Sequence, residues 1–283
     1  MSRILSASAA SEATRFLSVQ IRTLLVQLTQ RPLREAGIIP WSSPIPVFGQ
    51  FGDCEIATVG LNPSNREFVD EQGNELADSE RRFHTLRSLA LRQWADVDYR
   101  HLMMIAQSCC RYFEANPYDT WFRALDRVIA GTGASFYSGN ACHLDLVPYA
   151  TGQKWTALSV VQRSNLLRKT GSVLPALLNS SPIRILILNG STVVKTLEAG
   201  IDTSLQAFEM PAWKLPRASG DPVRGVAFSG VATSLFGVRL RRAVHIIGYN
   251  HNIQSSFGVT REVRESICDW IGDQAVERLA RVA

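Results

Sequence analysis

The run from Ile183 to Leu188 is the part of the sequence that limits the fold most, because only Arg184 interrupts its apolar residues. Short runs of this kind are typical of strands that are buried on both faces of a parallel sheet. Further candidate strands over residues 55–59, 136–149 and 244–247 alternate with segments of helical spacing. This alternation predicts the α/β class, with three α/β/α layers around a mainly parallel central sheet.

The length and composition are compatible with a single large domain. The chain has 283 residues, of which 46% are hydrophobic and 19% are charged, enough apolar material for a sizeable core. No internal repeat and no clear boundary divides it. We therefore expect one domain over residues 1–283, with an N-terminal helical extension over about residues 1–45 and an insertion over about residues 203–232.

Membrane and metal-bound proteins are both disfavoured by the sequence. No apolar run approaches the roughly 20 residues of a membrane span, and the first residues lack the apolar core of a signal peptide. We therefore expect a cytoplasmic protein with no membrane partner. The five cysteines include no Cys-x-x-Cys pair, which argues against disulfides and zinc, and we expect no cofactor and no metal.

The charge balance favours a polyanionic partner. The net charge is +5 and the isoelectric point is near 9.1. The basic residues are mostly arginines spread along the chain, and no block of them is long enough to be a tail. Such a distribution suits a groove that follows phosphates, so nucleic acid is the partner that we expect.

The local pattern predicts the elements around the strands. Helical spacing covers about residues 8–30, 81–94, 99–114, 119–130, 156–179 and 191–199, with a last helix from about residue 260. Val47–Phe51 is predicted to be a strand. Gly52-Asp53 is predicted to turn the chain back, so that this strand forms a hairpin with the strand at 55–59. The polar stretch from Ser64 to Ser79 is longer than most connections, which favours a functional loop.

The strand at 55–59 ends in Gly60-Leu61-Asn62-Pro63-Ser64, where a strand cannot continue. Gly60 permits a tight turn or the close approach of a ligand, and Pro63 holds Asn62 at a rigid bend. Open α/β sheets bind ligands at the carboxyl ends of their strands. Asn62 is thus expected to direct its amide into a cleft, although Asn-Pro is also a common pair at an ordinary strand exit.

Two further loops resemble this one in chemistry, and each is predicted to follow a strand. They are Gly139–His143, which contains Asn140, and Asn250–Gln254, which contains His251. All three loops are rich in amides and histidine and poor in carboxylates. An amide carries both donors and an acceptor, so it can match the edge of a nucleobase. A pocket of this kind suits a neutral heterocycle better than phosphoryl or metal chemistry.

Taken in order, these motifs resemble the uracil-DNA glycosylase superfamily, in its mismatch-specific and single-strand-selective branches. Gly60-Leu61-Asn62-Pro63-Ser64 is similar to the first motif, Gly-[Ile/Leu/Met]-Asn-Pro-Gly. Arg82-Phe83 is similar to the segment of the stacking aromatic, Asn140 to the strand-end asparagine that reads the base, and 249–257 to the wedge loop. Ser64 replaces a glycine, and Asn-His-Asn-Ile-Gln lacks the proline of the usual second motif. The cysteines do not match the iron–sulfur branches, so no cluster is expected.

The resemblance implies a monofunctional DNA glycosylase that flips a uracil-like, mismatched or modified pyrimidine into a pocket and leaves an abasic site. We expect the protein to be a monomer with DNA as its partner. The resemblance further implies repair, or defence against phage DNA with modified bases. Asn62 would orient a water, Asn250 or His251 would stabilise the departing base, and Ile253 would be the wedge. The implied sites are catalytic Asn62, Asn250 and His251; base-binding Leu61, Phe83, Asn140 and His143; and DNA-binding Ser64, Arg66, Arg82, Lys154, Ile253, Gln254 and Ser255.

Other interpretations stay open. Phe83 is compatible with a core position, and the alternation of His143 and Asp145 favours a satisfied polar pair over catalysis. His251 is compatible with a solvent-facing loop, and Arg81-Arg82 with a solvated helix start. The whole chain is also compatible with a nucleic-acid or nucleotide binder that keeps the fold without the chemistry. A hydrolase that uses Ser64 or His143 is a third interpretation. The absence of a Gly-x-Ser-x-Gly motif argues against it.

Overall fold

The computed structural model describes residues 2–217, 220–254 and 258–280. Its strands are β1 Ile56–Gly60, β2 Ala141–Asp145, β3 Ile185–Asn189, β4 Gln206–Glu209, β5 Val226–Leu235 and β6 Val238–Tyr249. Its helices are α1 Ser2–Leu28, α2 Arg31–Arg34, α3 Tyr99–Cys110, α4 Asp119–Ile129, α5 Val160–Thr170, α6 Val173–Asn179, α7 Ser191–Glu198 and α8 Arg261–Ala280.

The strands form one six-stranded sheet in the order β2-β1-β3-β6-β5-β4. The first four of these strands are parallel to one another, whereas β5 and β4 run antiparallel at the far side. The apolar run that predicted a buried strand is β3, which lies between β1 and β6 and is buried along its whole length. The α/β class and the mainly parallel central sheet are therefore confirmed.

Helices pack on both faces of the sheet. Val59 of β1 is in register with Leu188 of β3, which in turn pairs with Gly248 of β6. A side chain added at Gly248 would meet Val194 of α7, so α7 covers this face. Thr58 and His143 point to the opposite face because side chains alternate along a strand, and there the imidazole contacts Trp121 and Phe122 of α4.

The hairpin predicted between residues 47–51 and 55–59 is wrong. Phe48 instead forms an isolated antiparallel bridge with His143 of β2, in which each residue donates its N–H to the other's carbonyl, at 2.9 and 3.0 Å. Pro44 and Pro46 precede this segment, and a proline cannot donate to a strand ladder. The segment therefore protects the edge of β2 at one point instead of adding a strand beside β1.

The helix predicted over residues 81–94 is also wrong. Residues 81–93 form turns and irregular backbone, and a short 3₁₀ helix covers Trp94–Asp96. The side chains of Thr85 and Ser88 bond each other's backbone N–H groups, at 2.9 and 3.0 Å, and Ala90 has a positive φ of 53°. Local hydroxyl bonds of this kind compete with helix formation.

The segment predicted as an insertion provides the antiparallel side of the sheet. Strand β4 pairs with β5, and β5 pairs with β6 across a tight turn at Phe236-Gly237, both of which have positive φ. The N-terminal helix α1 buries Leu17, Ile21 and Leu24 in the same hydrophobic core as the sheet. Within the residues that the structure describes, none of the helices combines the length and apolar character needed to cross a bilayer.

Candidate functional site

The carboxyl ends of the four parallel strands meet at one edge of the sheet. These strands end at Gly60, Asp145, Asn189 and Tyr249, and Gly60 pairs with Asp145 as Asn189 pairs with Tyr249. This is the edge at which open α/β sheets bind ligands. The loops after β1 and β6, which were predicted to carry the chemistry, both start here.

The amide of Asn62 is held in one orientation. Its nitrogen Nδ2 donates to the carbonyl oxygens of Pro63 and Tyr149, at 3.1 and 3.3 Å, and to Oγ1 of Thr151 at 3.1 Å. Two backbone carbonyls can only accept, so they fix which amide atom is the nitrogen. The oxygen Oδ1 accepts no hydrogen bond from any described residue. Asn62 therefore presents a fixed acceptor at the carboxyl edge.

A buried polar group lies on strands β1 and β2, close to the same edge. Nδ1 of His143 is 2.7 Å from the hydroxyl of Thr58, and its Nε2 is 3.4 Å from Oδ1 of Asp145. A proton on Nε2 faces the carboxylate and leaves Nδ1 to accept from Thr58. The predicted polar pair of His143 and Asp145 is thus present, and both side chains are almost fully buried.

Aromatic rings surround the imidazole of His143. The ring centroids of Phe48, Trp121 and Phe122 lie 5.5, 5.0 and 5.4 Å from it. The ring is 2% exposed, so a flipped base cannot reach it without displacing these neighbours. His143 is therefore placed to support Asp145, and its predicted contact with a base is not available in this conformation.

Gly60 leaves room for the Asp145 carboxylate. A Cβ at residue 60 would lie 2.3 Å from Oδ1 of Asp145 and 2.9 Å from Nε2 of His143. These contacts are too short for any side chain, so the carboxylate lies across the backbone of β1. The glycine that was predicted to allow a turn or a ligand thus allows a neighbouring carboxylate to approach.

We expect Gly60→Ala to lower the free energy of unfolding by about 1–3 kcal/mol, because the added methyl overpacks a buried polar group. Urea unfolding at neutral pH measures this change. Gly152→Ala is the matched control, since a Cβ there meets nothing closer than the carbonyl of Gly37 at 4.0 Å. Equal stability of both variants would show that the carboxylate can leave Gly60 freely.

Glu67 is a second buried carboxyl near this group. It lies in the 3₁₀ helix Asn65–Glu67, is 3% exposed, and accepts a hydrogen bond from the hydroxyl of Tyr112 at 2.8 Å. Burial raises the pKa of Glu67 to about 8, against the opposing effects of the Tyr112 hydroxyl and the Arg82 charge, and the charge of Asp145 raises it further. Glu67 is therefore mostly protonated at neutral pH.

The two residues expected to stabilise a departing base are already bonded to the backbone. The amide of Asn250 accepts from the N–H of Val226 at 2.9 Å and donates to the carbonyl of Arg224 at 2.7 Å. His251 is 2% exposed, which excludes the solvent-facing reading, and its Nε2 lies 2.6 Å from the carbonyl of Trp213. Burial lowers the pKa of His251, against the opposing effect of the Trp213 carbonyl.

Asn189 holds the loop after β6. Its Nδ2 donates to Oε1 of Gln254 at 2.6 Å, and its Oδ1 accepts from the N–H of Ile253 at 3.2 Å. Nε2 of Gln254 in turn donates to the carbonyl of Trp121 at 3.4 Å. Ile253 is 6% exposed, so the expected wedge is buried, and it could enter a base stack only after this loop opens.

Asn140 does not belong to this edge, so its predicted position beside Asn62 is wrong. It precedes β2, whose first residue Ala141 pairs with Ile56 at the start of β1. Its Oδ1 accepts from the N–H of Ser135 at 2.7 Å and from the hydroxyl of Ser138 at 2.6 Å. Asn140 therefore closes a turn at the amino ends of the strands, whereas Asn62 lies at their carboxyl ends.

Phe83 lies in the hydrophobic core, as the alternative interpretation allowed. It is 1% exposed and stacks on Tyr112, with ring centroids 5.1 Å apart and an interplanar angle of 11°. The rings of Phe48 and Phe68 lie 5.4 and 5.9 Å away. The predicted stacking on an extruded base is therefore incompatible with this conformation.

The predicted DNA-binding residues differ in their freedom to bind phosphate. Arg82 donates to the carbonyls of Asn116 and Arg66, at 2.9 and 2.8 Å, and Arg66 bonds Asp70 and Glu71 of its own loop. Ser64 caps the following 3₁₀ helix by accepting from the N–H of Arg66, and Leu61 packs half-buried against the core. Lys154 is exposed, whereas Ser255 lies outside the described residues.

Three residues at this edge were not among the predicted site residues: Asp145, Glu67 and Asn189. Asp145 and Asn189 could have been found from the rule that the last residue of a parallel strand faces the ligand edge. No local pattern marked Glu67, which looks like an ordinary loop residue until its burial is known. Among the described residues, no group of three or more His, Cys, Asp and Glu side chains could hold a metal ion.

Comparisons with known proteins leave the family open. The sequence matches no protein-family model and no curated protein.

Proposed function

We propose that this protein is a DNA N-glycosylase that extrudes one nucleotide and hydrolyses the bond between its base and the deoxyribose. The observation that carries the proposal is the fixed amide of Asn62 at the carboxyl edge, whose oxygen accepts no hydrogen bond from any described residue. A uracil-DNA glycosylase-like fold is part of the same proposal. The α/β sheet and the motif Gly60-Leu61-Asn62-Pro63 support it.

In this mechanism Asn62 orients the attacking water. Its Oδ1 accepts one hydrogen of the water, whose oxygen then bonds to C1′ of the sugar. The bond from C1′ to the base nitrogen breaks, its electron pair leaves with the base, and a proton of the water passes to solvent. An amide is not a strong base, so the rate enhancement comes from positioning the water against an electron-poor C1′.

DNA binding in this proposal starts with charge. The net charge of +5 attracts the phosphate backbone, and exposed Lys154 is available for a direct contact. Arg66 and Arg82 are fixed by bonds to backbone carbonyls and contribute mainly through the electrostatic field. The buried positions of Ile253 and Phe83 imply that the loops around the site rearrange when a nucleotide is extruded.

Excision from defined oligonucleotides tests the proposal. Duplex and single-stranded substrates would carry one uracil, one mismatched thymine, or one plain, hydroxymethylated or glucosylated cytosine, and alkali would cleave the abasic product. A second panel would carry adenine and guanine at the target position. We expect an abasic site with at least one base. No product with any substrate, at enzyme in excess over DNA, would contradict the proposal.

The alternative is a nucleic-acid binder without the chemistry. The engagement of Asn250 and His251 in backbone hydrogen bonds favours it, because neither side chain is free to stabilise a departing base. A binder would retain DNA in a salt-sensitive manner, with the same affinity after Asn62→Ala and without product. Filter binding at two salt concentrations, run beside the excision assay, separates the two functions.

A further inference from the structure

The carboxylate of Asp145 is buried, and the Nε2–H of His143 is its single donor among the described residues. The side chain is 3% exposed, and its one polar contact within the described structure is the imidazole of His143 at 3.4 Å. No backbone N–H, hydroxyl or amide of a described residue donates to it. Buried carboxylates in proteins are normally bonded to donors, because removal from water is costly for an unsatisfied charge.

The position of Asp145 indicates that a ligand could donate a hydrogen bond to its carboxylate. Asp145 is the last residue of β2, at the edge where ligands bind, and it lies across Gly60 at the start of the Asn62 loop. Another polar residue ends a strand at the same edge. The hydroxyl of Tyr249, the last residue of β6, is buried and has no hydrogen-bond partner among the described residues. Two strands of this sheet thus end in polar groups whose hydrogen-bonding capacity the described residues leave partly or wholly unused.

We propose that Asp145 binds the edge of a nucleobase that carries an exocyclic amino group, once the loops around the site have opened. This inference rests on the proposed function, and it assigns to Asp145 the base reading that was expected of Asn140. It also names the substrate class: cytosine, adenine, guanine or their derivatives, and not uracil or thymine.

The discrimination follows from what a carboxylate can do. It only accepts hydrogen bonds, so it pairs with the N–H of an amino group. Uracil and thymine present a carbonyl oxygen at the position where cytosine presents its amino group, and that oxygen would face the carboxylate. A well-formed pair of this kind discriminates against the wrong base by roughly 10- to 100-fold. An amide such as asparagine could turn to match either base, whereas Asp145 cannot.

Binding of free nucleobases tests the inference without requiring catalysis. Saturation-transfer NMR would compare cytosine, adenine, guanine and uracil on the wild-type protein, on Asp145→Asn, and on Asp53→Asn as an exposed matched control. We expect the wild type and D53N to prefer at least one amino base over uracil by about 10-fold or more. D145N should lose this preference and gain affinity for uracil, and thermal melting would show whether D145N is folded.

The outcomes separate the inference from the proposed function. Wild-type protein that binds uracil as tightly as every amino base, or that binds none of the four, overturns the inference even if D145N does not fold. Excision of uracil in preference to cytosine, adenine and guanine overturns it while the glycosylase proposal stands. Preferential binding of an amino base without excision from any oligonucleotide supports the inference and contradicts the glycosylase proposal.

Discussion

Replacing Asn62 with alanine should lower the single-turnover rate of base excision by about 100-fold or more, with little change in the affinity for DNA. The substitution removes the oxygen that orients the water, while the carbonyls of Pro63 and Tyr149 remain in place. Misplacing a reacting group by about 1 Å can cost this much when catalysis depends on positioning. Quenched-flow or manual time courses on the best oligonucleotide, with protein in excess, measure the effect.

Asn65→Ala is the matched control for this variant. It makes the same chemical change three residues later, at a side chain whose only described contact is a 3.5 Å hydrogen bond from Ser64. We expect its excision rate to stay within about threefold of wild type, in keeping with the small effects of most surface substitutions. If N62A excised the base as fast as N65A, Asn62 would have no part in the chemistry.

The first loop could be predicted from sequence because its determinants are local. Residues 56–60 form a fully buried strand, and Pro63 ends it wherever the rest of the chain lies. The burial of β3 followed in the same way from its apolar run. Such features depend on the period of a strand and on the geometry of proline, both of which are properties of the segment itself.

The position of Asn140 could not be predicted because it depends on where a strand begins. Apolar and polar residues alternate over only part of the segment from Phe136 to Tyr149, and the pattern does not show which part of the segment forms the strand. In the structure β2 begins after Asn140 and ends at Asp145, so the amide lies at the amino edge and the carboxylate lies at the carboxyl edge where the amide was expected. A shift of five residues in the strand boundary moves a side chain from one edge of the sheet to the other.

Phe83 and Glu67 depended on contacts that are distant in sequence. Phe83 packs on Phe48 and Tyr112, which come from a bridge to β2 and from the residues just after α3. Glu67 is buried and accepts a hydrogen bond from the hydroxyl of Tyr112, which is 45 residues away in the sequence. Neither packing partner is visible in the local pattern, so the aromatic was assigned to a ligand and the carboxyl to a loop.

The burial of Glu67 leads to the second large effect, a pH-dependent gain in stability on Glu67→Gln. The folded pKa of about 8 lies above the ordinary value of 4.5, so folding favours the protonated carboxyl. The stability that this carboxyl contributes is complete below pH 4.5 and is lost progressively as the pH rises to 8. Glutamine keeps an acceptor for the Tyr112 hydroxyl and never ionises.

We therefore expect E67Q and the wild type to differ little near pH 5, and E67Q to be more stable by about 4 kcal/mol at pH 8.5, because the difference grows by about 1.4 kcal/mol for each pH unit up to the folded pKa of about 8. Urea unfolding from pH 5 to 9 measures the difference. Glu71→Gln is the control on the same loop, because Glu71 is 83% exposed and its ion pair with Arg66 is worth about 1 kcal/mol at most. A stability difference between E67Q and wild type that stayed constant over this range would mean that folded Glu67 is already ionised at pH 5, and that burial does not raise its pKa.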